Sequence, residues 1–550
     1  MRHHDPHHPT WLRTLLPVLF AVNVALLLFF LAFDYQLIFH SDSAIKNLLA
    51  QEIVETHRFF PPDWTYVNKD LWVLYGQALV LPLLAFMPNG YSAHAVATAL
   101  SAALVLTSGW LLTRMLGASR TATWVALLVL SSGLSLSMAE HIYGQSAYEV
   151  MFWLGVLLLY GYWAHLQPGA RHGAGVLVAA MAVVVCWSNP QRALVFYLLP
   201  LLAAAWALRN AGRASGAAHP PLRHGRTVRL FLLASVAGMA LYGYTMHGAH
   251  NASAVNHVVW RDLQGMGSNL LSMFRGVLLV LDGLPQPDSR VTTAEGLYAM
   301  VRLLAAAAAL YLVPRALLRM LGDAAPGRLF CATFVGTALA LNLLPLLTTS
   351  LTDPNNPDSI RYLTPSLLSM LVIFAVATVD TADTWAVRRR AGVLTLAVLA
   401  TSAPTSYLFP YVQTYGMPTT RLASTAETRV MAFLRQQGLR YGYATFWHAG
   451  KITVLSDHAV RIRPVEIVNG MPTPSHWLSS RRWYTPGYYQ GPTFLLLRKG
   501  DPAVDTAALA ARLGTRVRVL AFEDWQIAVF DVNLANLPAW PAALGPVRIP

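Results

Sequence analysis

Long apolar runs, broken by short polar stretches, fill the first three quarters of this 550-residue chain. Their lengths suit helices that cross a bilayer. They predict membrane helices at about 11–33, 91–115, 121–139, 147–164, 174–189, 193–208, 229–247, 296–315, 329–349, 362–380 and 391–409. Two further apolar stretches, Leu71 to Met87 with Pro82 inside it and Leu263 to Leu284 with Arg275 and Asp282, are read as helices lying at or dipping into the outer interface. The alternative, in which both span and together restore the later topology, stays open.

Charge supports this count. Arg114 and Arg120, Arg171, the group Arg209, Arg213, Arg223, Arg226 and Arg229, the group Arg315, Arg319 and Arg328, and Arg388 to Arg390 all occupy short loops. Eleven spans with the N-terminus inside put every one of these loops on the cytoplasmic side, as the positive-inside rule requires. Making 71–87 a span would move the Arg209–Arg229 group outside. The first outer loop then covers 34–90, and further outer loops surround Glu140, the stretch 247–295 and the stretch 350–361.

After Pro410 the pattern changes. Ile452–Leu455, Thr493–Leu497, Arg516–Phe522 and Gln526–Phe530 read as strands, while Thr425–Gln437 and Ala503–Leu513 read as helices. Gly470-Met471-Pro472 and Pro486-Gly487 read as turns. The expected fold class is an α-helical polytopic membrane protein with about 11 transmembrane helices and outer-surface juxtamembrane helices. Residues 1–410 form the membrane domain, and 411–550 a soluble extracytoplasmic α/β domain.

Composition agrees. Hydrophobic residues make up 55% of the chain, charged residues only 12%, and mean hydropathy is +0.44; a soluble domain carries roughly 25% charged residues. The net charge of +14 sits in the loops between apolar runs, so it reads as a topology signal and nucleic-acid binding is not expected. Cys186 and Cys331 lie inside apolar segments and read as small buried hydrophobes. The first apolar run lacks a small-residue cleavage site and is expected to stay as the first helix. The histidines before it, His3, His4, His7 and His8, read as part of a disordered tail. No Walker loop or dinucleotide fingerprint is visible.

Candidate chemistry gathers in the outer loops. In His40-Ser41-Asp42-Ser43-Ala44-Ile45-Lys46-Asn47, Ser41 or Asp42 suits a helix N-cap, with Ile45, Leu48, Leu49 and Ile53 on one face and Lys46, Asn47 and Gln51 on the other. Asp42 as a simple cap is the plain reading, but a capping carboxylate can still take a proton from an acceptor hydroxyl or amine. Downstream, Asp63-Trp64-Thr65-Tyr66 and Lys69-Asp70 mix aromatics and charges in the manner of a sugar site or of an interfacial belt. Glu140-His141 opens the second outer loop, and Glu149 lies in the fourth span.

This layout, an N-terminal helix, an outer loop opening on an aspartate, surface helices, many spans and a soluble outer domain, resembles the GT-C superfamily of membrane glycosyltransferases. It is similar in arrangement to the protein O-mannosyltransferase and lipid A aminoarabinose transferase families. The resemblance covers roughly residues 11–410. It implies an inverting transferase that takes a sugar from a polyprenyl phosphate carrier, with Asp42 as base and Glu140 as a second acid. Many relatives carry an Asp-Glu pair in the first loop; here Ser43 follows Asp42. In Arg361-Tyr362-Leu363-Thr364-Pro365, the arginine stands where relatives place a cation before a tyrosine and a proline.

A departing phosphate needs a cation. Arg361 is the first candidate, followed by Lys69, Arg192 and Arg261, and an ion pair of Arg361 with Asp353 or Asp358 is its plain alternative. His40, Asp63, Trp64, Tyr66, His141 and Tyr362 are candidate substrate contacts. No cofactor is expected. Convergence of Asp42, Glu140 and His141 on a divalent metal is the alternative to a metal-independent reaction. The expected partners are a polyprenyl-phosphate-linked sugar, a lipid, glycan or protein acceptor, and membrane lipids. The arginine-rich, alanine-rich composition points to a bacterial inner membrane with a periplasmic C-terminal domain. Rival readings are a transporter or flippase and a non-catalytic envelope assembly protein.

Overall fold

The computed structural model of the protein describes residues 10–214, 224–252, 258–285, 290–323, 325–380, 386–408 and 425–540. The histidines of the N-terminal tail and the boundary near Pro410 fall outside them. The chain divides into two compact units, one of Met1–Leu31, Ala99–Tyr242 and Val255–Val412, the other of Ala32–Thr98, Gly243–Ala254 and Gln413–Pro550.

The first unit is helical. Every predicted span coincides with a helical segment, and eight helices among the described residues are long and apolar enough to cross a membrane. His172–Ser188 and Ala386–Ala400 are shorter, at 17 and 15 residues. Leu263–Val280, predicted to lie at the interface, is not among the eight. This is a multi-pass membrane protein.

One predicted span is broken. The segment expected at 121–139 runs as Arg120–Ser131, bends by 94°, and resumes as Leu136–Gly144. Ser131-Ser132-Gly133-Leu134-Ser135 causes the break. Gly133 and Leu134 both have positive φ, 74° and 64°, and a Cβ on Gly133 would lie 2.9 Å from the Tyr407 ring. The carbonyls freed by such a break must find donors. Arg302, 1% exposed, supplies them: its guanidinium donates to the carbonyls of Leu134, of Leu281 at 2.6 Å and of Val398 at 3.0 Å, with Asp282 at 3.6 Å. Leu281 caps the helix Leu263–Val280, and Val398 lies in the last turn of Ala386–Ala400. One arginine thus satisfies backbone at three helix interruptions.

The second unit carries the sheets. β1 (Thr65–Val67) pairs in parallel with β2 (His250–Ala252). A six-stranded mixed sheet contains β3 (Tyr441–Ala444), β4 (Arg461–Val468), β5 (Met471–Pro474), β6 (Thr493–Arg498), β7 (Val517–Phe522) and β8 (Trp525–Phe530), in the order β5-β4-β3-β6-β8-β7. β3 is parallel to β4 and β6, and the remaining pairs are antiparallel. Val430, Leu434, Ile462, Phe494, Leu496 and Ile527 form part of its core.

The predicted strand Ile452–Leu455 is instead the end of a helix, Phe446–Leu455. That segment connects two neighbouring parallel strands, a connection that needs a crossover and usually takes a helix. Tertiary demand overrides the β-branched composition here. Met471-Pro472, predicted as turn, begins β5, the turn itself being Asn469-Gly470.

Candidate active site

The helix Ser41–Thr56 begins at His40, whose extended backbone makes it the N-cap; neither Ser41 nor Asp42 caps it. Its expected polar side is largely unsolvated: Lys46 and Asn47 are 3% and 0% exposed, Gln51 is half-buried, and the neighbouring Glu52 is 1% exposed. Lys46, Glu52 and the Asn47 amide nitrogen are held by hydrogen bonds, while Asn47 Oδ1 is buried with no partner among the described residues. Asn47 Nδ2 donates to Asn89 Oδ1 at 2.8 Å and to the Gly90 carbonyl at 3.0 Å. Lys46 Nζ donates to the Asp42 carbonyl at 3.0 Å and lies 5.9 Å from the Tyr75 ring centroid. Glu52 accepts from Ser480 Oγ at 2.7 Å, Trp483 Nε1 at 2.9 Å and Arg482 Nη1 at 3.1 Å. Burial raises the Glu52 carboxyl above its ordinary value, and Ser480 and Arg482 offset part of that.

Asp42 sits in the first turn of this helix, half-buried. A carboxylate there is favoured by the helix dipole. Its side chain has no hydrogen-bond partner among the described residues, whereas its neighbours are anchored. Ser43 Oγ is 2.6 Å from Tyr35 Oη and 3.3 Å from His40 Nε2, and Ser41 Oγ accepts the Lys451 amide at 3.3 Å. A rigid turn therefore presents an uncommitted acid.

The remaining first-loop candidates are placed differently. Trp64 and Tyr66 are fully buried, with Trp64 packed edge-on to Trp483 at 5.7 Å. Asp63 is buried, and its carbonyl accepts the Arg481 amide at 2.8 Å. Lys69 is exposed with φ 59°, and its amide donates to Asn251 Oδ1 at 2.6 Å.

In the helical unit, the π turn Glu140–Gly144 ends the broken span, and a 3-10 segment Pro357–Leu363 leads into the helix Thr364–Asp380. These two irregular turns meet through His141 and Asp358, Nε2 to Oδ1 at 2.8 Å. The other oxygen of Asp358 takes Arg361 Nη1. The Arg361 guanidinium lies 5.4 Å from the Tyr362 ring centroid, and Tyr148 packs edge-on against both His141 and Tyr362. Arg361 Nε is buried with no hydrogen-bond partner among the described residues.

Beside this cluster runs an apolar furrow of about 210 Å³. Its lining includes Met138, Met273, Phe274 and Val277, together with Ile360 and Leu363, which flank Arg361 and Tyr362 in sequence. Glu140 is half-buried at the start of the π turn. Arg192 lies on the helix Pro190–Ala193, capped by Asn189, and Arg261 precedes the Asp262 cap of Leu263–Val280 with its Nε buried and unpartnered among the described residues. Glu149 accepts from Ser101 Oγ at 2.7 Å and Ser146 Oγ at 2.6 Å. Among the described residues, no three His, Cys, Asp or Glu side chains gather as a metal site requires.

The structure resembles ArnT from Cupriavidus metallidurans bound to undecaprenyl phosphate, with a TM-score of 0.51 and 13% identity over 96% of this chain and 99% of that one. The apo state of the same protein gives a TM-score of 0.51 at 12% identity, over 98% and 99% of the two chains. The likeness shows a fold shared with ArnT. No protein-family model and no curated protein matches the sequence. The likeness in fold extends over nearly the whole chain, beyond the residues 11–410 that carried the resemblance in sequence.

Sequence reasoning named Asp42, His141, Arg361 and Tyr362, but it joined neither His141 to Asp358 nor Tyr148 to the cluster. It also missed the apolar furrow and the buried Glu52. The first three depend on contacts between distant segments. Glu52 was legible only as a carboxylate one residue from the apolar stripe at Ile53.

Proposed function

We propose that the protein is an inverting glycosyltransferase that moves a sugar from a polyprenyl phosphate carrier to an acceptor on the extracytoplasmic face of a bacterial inner membrane. The acceptor is a cell-envelope glycan, lipid or protein. The observation that carries this reading is the pairing of an apolar furrow with Arg361, whose buried Nε has no hydrogen-bond partner among the described residues. A polyprenyl phosphate needs both, a dry surface for its isoprene units and a cation at its head. The likeness to ArnT, a protein seen with undecaprenyl phosphate bound, supports the same choice of carrier.

In this reaction Asp42 takes the proton from the acceptor hydroxyl or amine. The acceptor atom attacks the anomeric carbon as the bond from that carbon to the phosphate oxygen breaks. The bonding pair leaves with the phosphate, whose growing charge Arg361 stabilises. Asp358 positions Arg361, and Tyr362 supports it. Lys69, Arg192 and Arg261 rank behind Arg361 as phosphate contacts, and Glu140 ranks behind Asp42 as an acid. His40 and His141 rank as further candidate substrate contacts, whereas the buried Asp63, Trp64 and Tyr66 support the first loop from within.

The purified protein, given a labelled polyprenyl-phosphate sugar, should release the carrier phosphate and glycosylate the acceptor. Asp42→Asn should lower turnover by about 10²–10⁴-fold while leaving donor binding nearly unchanged, and Arg361→Ala should weaken donor binding. Full turnover in Asp42→Asn would remove the aspartate from this role. The broken span favours one rival, since transporters build their sites at discontinuous helices. Carrier-linked sugar crossing a vesicle membrane without being cleaved would select that rival.

A further inference from the structure

The second unit contains a cavity of about 770 Å³, lined by residues that include Glu55, Arg435, Arg440, Tyr441, His458, Arg461, Tyr488 and Tyr489. Its volume falls within the ~300–1,000 Å³ of small-molecule sites. We propose that this cavity binds an anionic saccharide, a sugar bearing carboxylate or phosphate groups, at a site separate from the transfer chemistry proposed above.

The charge balance of the wall sets the sign of the ligand. Three arginines face one carboxylate. Arg440 and Arg461 are exposed and have no ion-pair partner among the described residues. Arg435 donates from Nη2 to the Ser456 carbonyl at 2.6 Å, which holds its guanidinium in place without neutralising it. Glu55 is engaged by Gln51 Nε2 at 3.2 Å and by Tyr488 Oη at 3.1 Å. Behind the wall, Arg463 donates to Tyr488 Oη at 3.2 Å and lies 4.1 Å from the Trp483 ring centroid, adding a fourth fixed cation. Guanidinium forks suit carboxylate and phosphate oxygens.

The aromatic groups point to a sugar. Tyr489 stacks on Tyr441 with centroids 4.3 Å apart and planes 8° from parallel, giving the wall a rigid aromatic surface for the C–H faces of a pyranose. His458 Nε2 is buried without a hydrogen-bond partner among the described residues. Burial and the charges of Arg463 and Arg461 hold this imidazole down at about 3, so it is neutral at physiological pH. A neutral imidazole adds no charge to the wall, so its cations are the arginines alone.

The test is calorimetric titration of the full-length protein in nanodiscs with tetragalacturonate, glucose 6-phosphate, maltotetraose and inorganic phosphate. At least one of the two anionic saccharides should bind at least about tenfold more tightly than either control, since one charged hydrogen bond accounts for such a factor. Arg440→Ala combined with Arg461→Ala should lower that affinity by about tenfold or more at unchanged Tm, because both side chains are exposed. Tyr489→Ala should weaken the saccharide specifically. Absence of binding, equal affinity for maltotetraose or inorganic phosphate, or an unaffected double variant would each overturn the proposal. None of these results depends on transferase activity, so this site and the transfer reaction stand or fall separately.

Discussion

Asp358 holds His141 on one carboxylate oxygen, at 2.8 Å, and Arg361 on the other, across 217 residues of chain in the first case. The carboxylate thereby ties the π turn that ends the broken span to the turn that carries the proposed phosphate cation. Removing its charge should release Arg361 without removing it. Asp358→Asn is therefore expected to raise the donor KM by about tenfold, the scale of one charge-assisted bond, with a smaller effect on kcat. His141→Gln should act in the same direction and more weakly. Steady-state transfer from a labelled polyprenyl-phosphate sugar reads both, and an unchanged KM in Asp358→Asn would separate the pair from donor binding.

Arg302→Met should be among the most damaging substitutions in the helical unit. It leaves the carbonyls of Leu134, Leu281 and Val398 without their donor and removes the cation beside Asp282, which among the described residues keeps only its hydrogen bond from Tyr298. Losing one partner of a buried charged network costs about 3–5 kcal/mol, which should appear as a large fall in Tm in detergent. Arg302→Lys keeps the charge but cannot reach three carbonyls with one planar fork, so it should fall between the two.

Stability of the second unit should respond to pH through His458. Its folded value is held at about 3, against 6.5 for the ordinary imidazole. The unfolded chain therefore binds more protons between those values, and stability falls as pH drops below 6.5, by at most about 1.4 kcal/mol per unit. His458→Asn should flatten this limb of the profile; asparagine tolerates the φ of 60° at this position. Chemical denaturation at pH 7 and pH 5 checks it, and parallel losses in both proteins would exclude His458 as the cause.

Glu52 gives a dependence of opposite sign. Its carboxyl is raised by burial, so its contribution is complete below the ordinary value of 4.5 and declines as pH rises through the raised folded value. Glu52→Gln, neutral throughout, should lose less relative to the wild type at pH 8 than at pH 4. Trp483→Phe removes one donor to Glu52 and should cost about 1 kcal/mol at either pH.

Periodicity was enough to find the helical segments, because a membrane helix must be apolar over its whole length. It could not show the interruption at Gly133 and Leu134, where positive φ rather than polarity breaks the helix. In the second unit, Thr493–Arg498 and the hairpin of β7 and β8 were legible as alternating or β-rich runs. Tyr441–Ala444 is too short and too glycine-like to announce itself, and Arg461–Val468 carries a proline. Asp42 and Arg361 stood out because charge beside a span is rare. Their neighbours did not, since the partner of His141 lies in another turn and the partners of Glu52 lie more than 400 residues away.

The second unit is assembled from three separated pieces of chain, and this imposes a timetable on synthesis. Glu52 emerges 428 residues before Ser480, an interval of roughly 20–90 s at ordinary translation rates. Throughout it, Glu52 and Trp64 lack their cover, and for the first part of it β1 also waits for β2. The first loop must therefore persist as an unfinished surface while the membrane helices are inserted. A nascent chain halted before residue 480 should expose this loop to protease, and release of the full chain should close it.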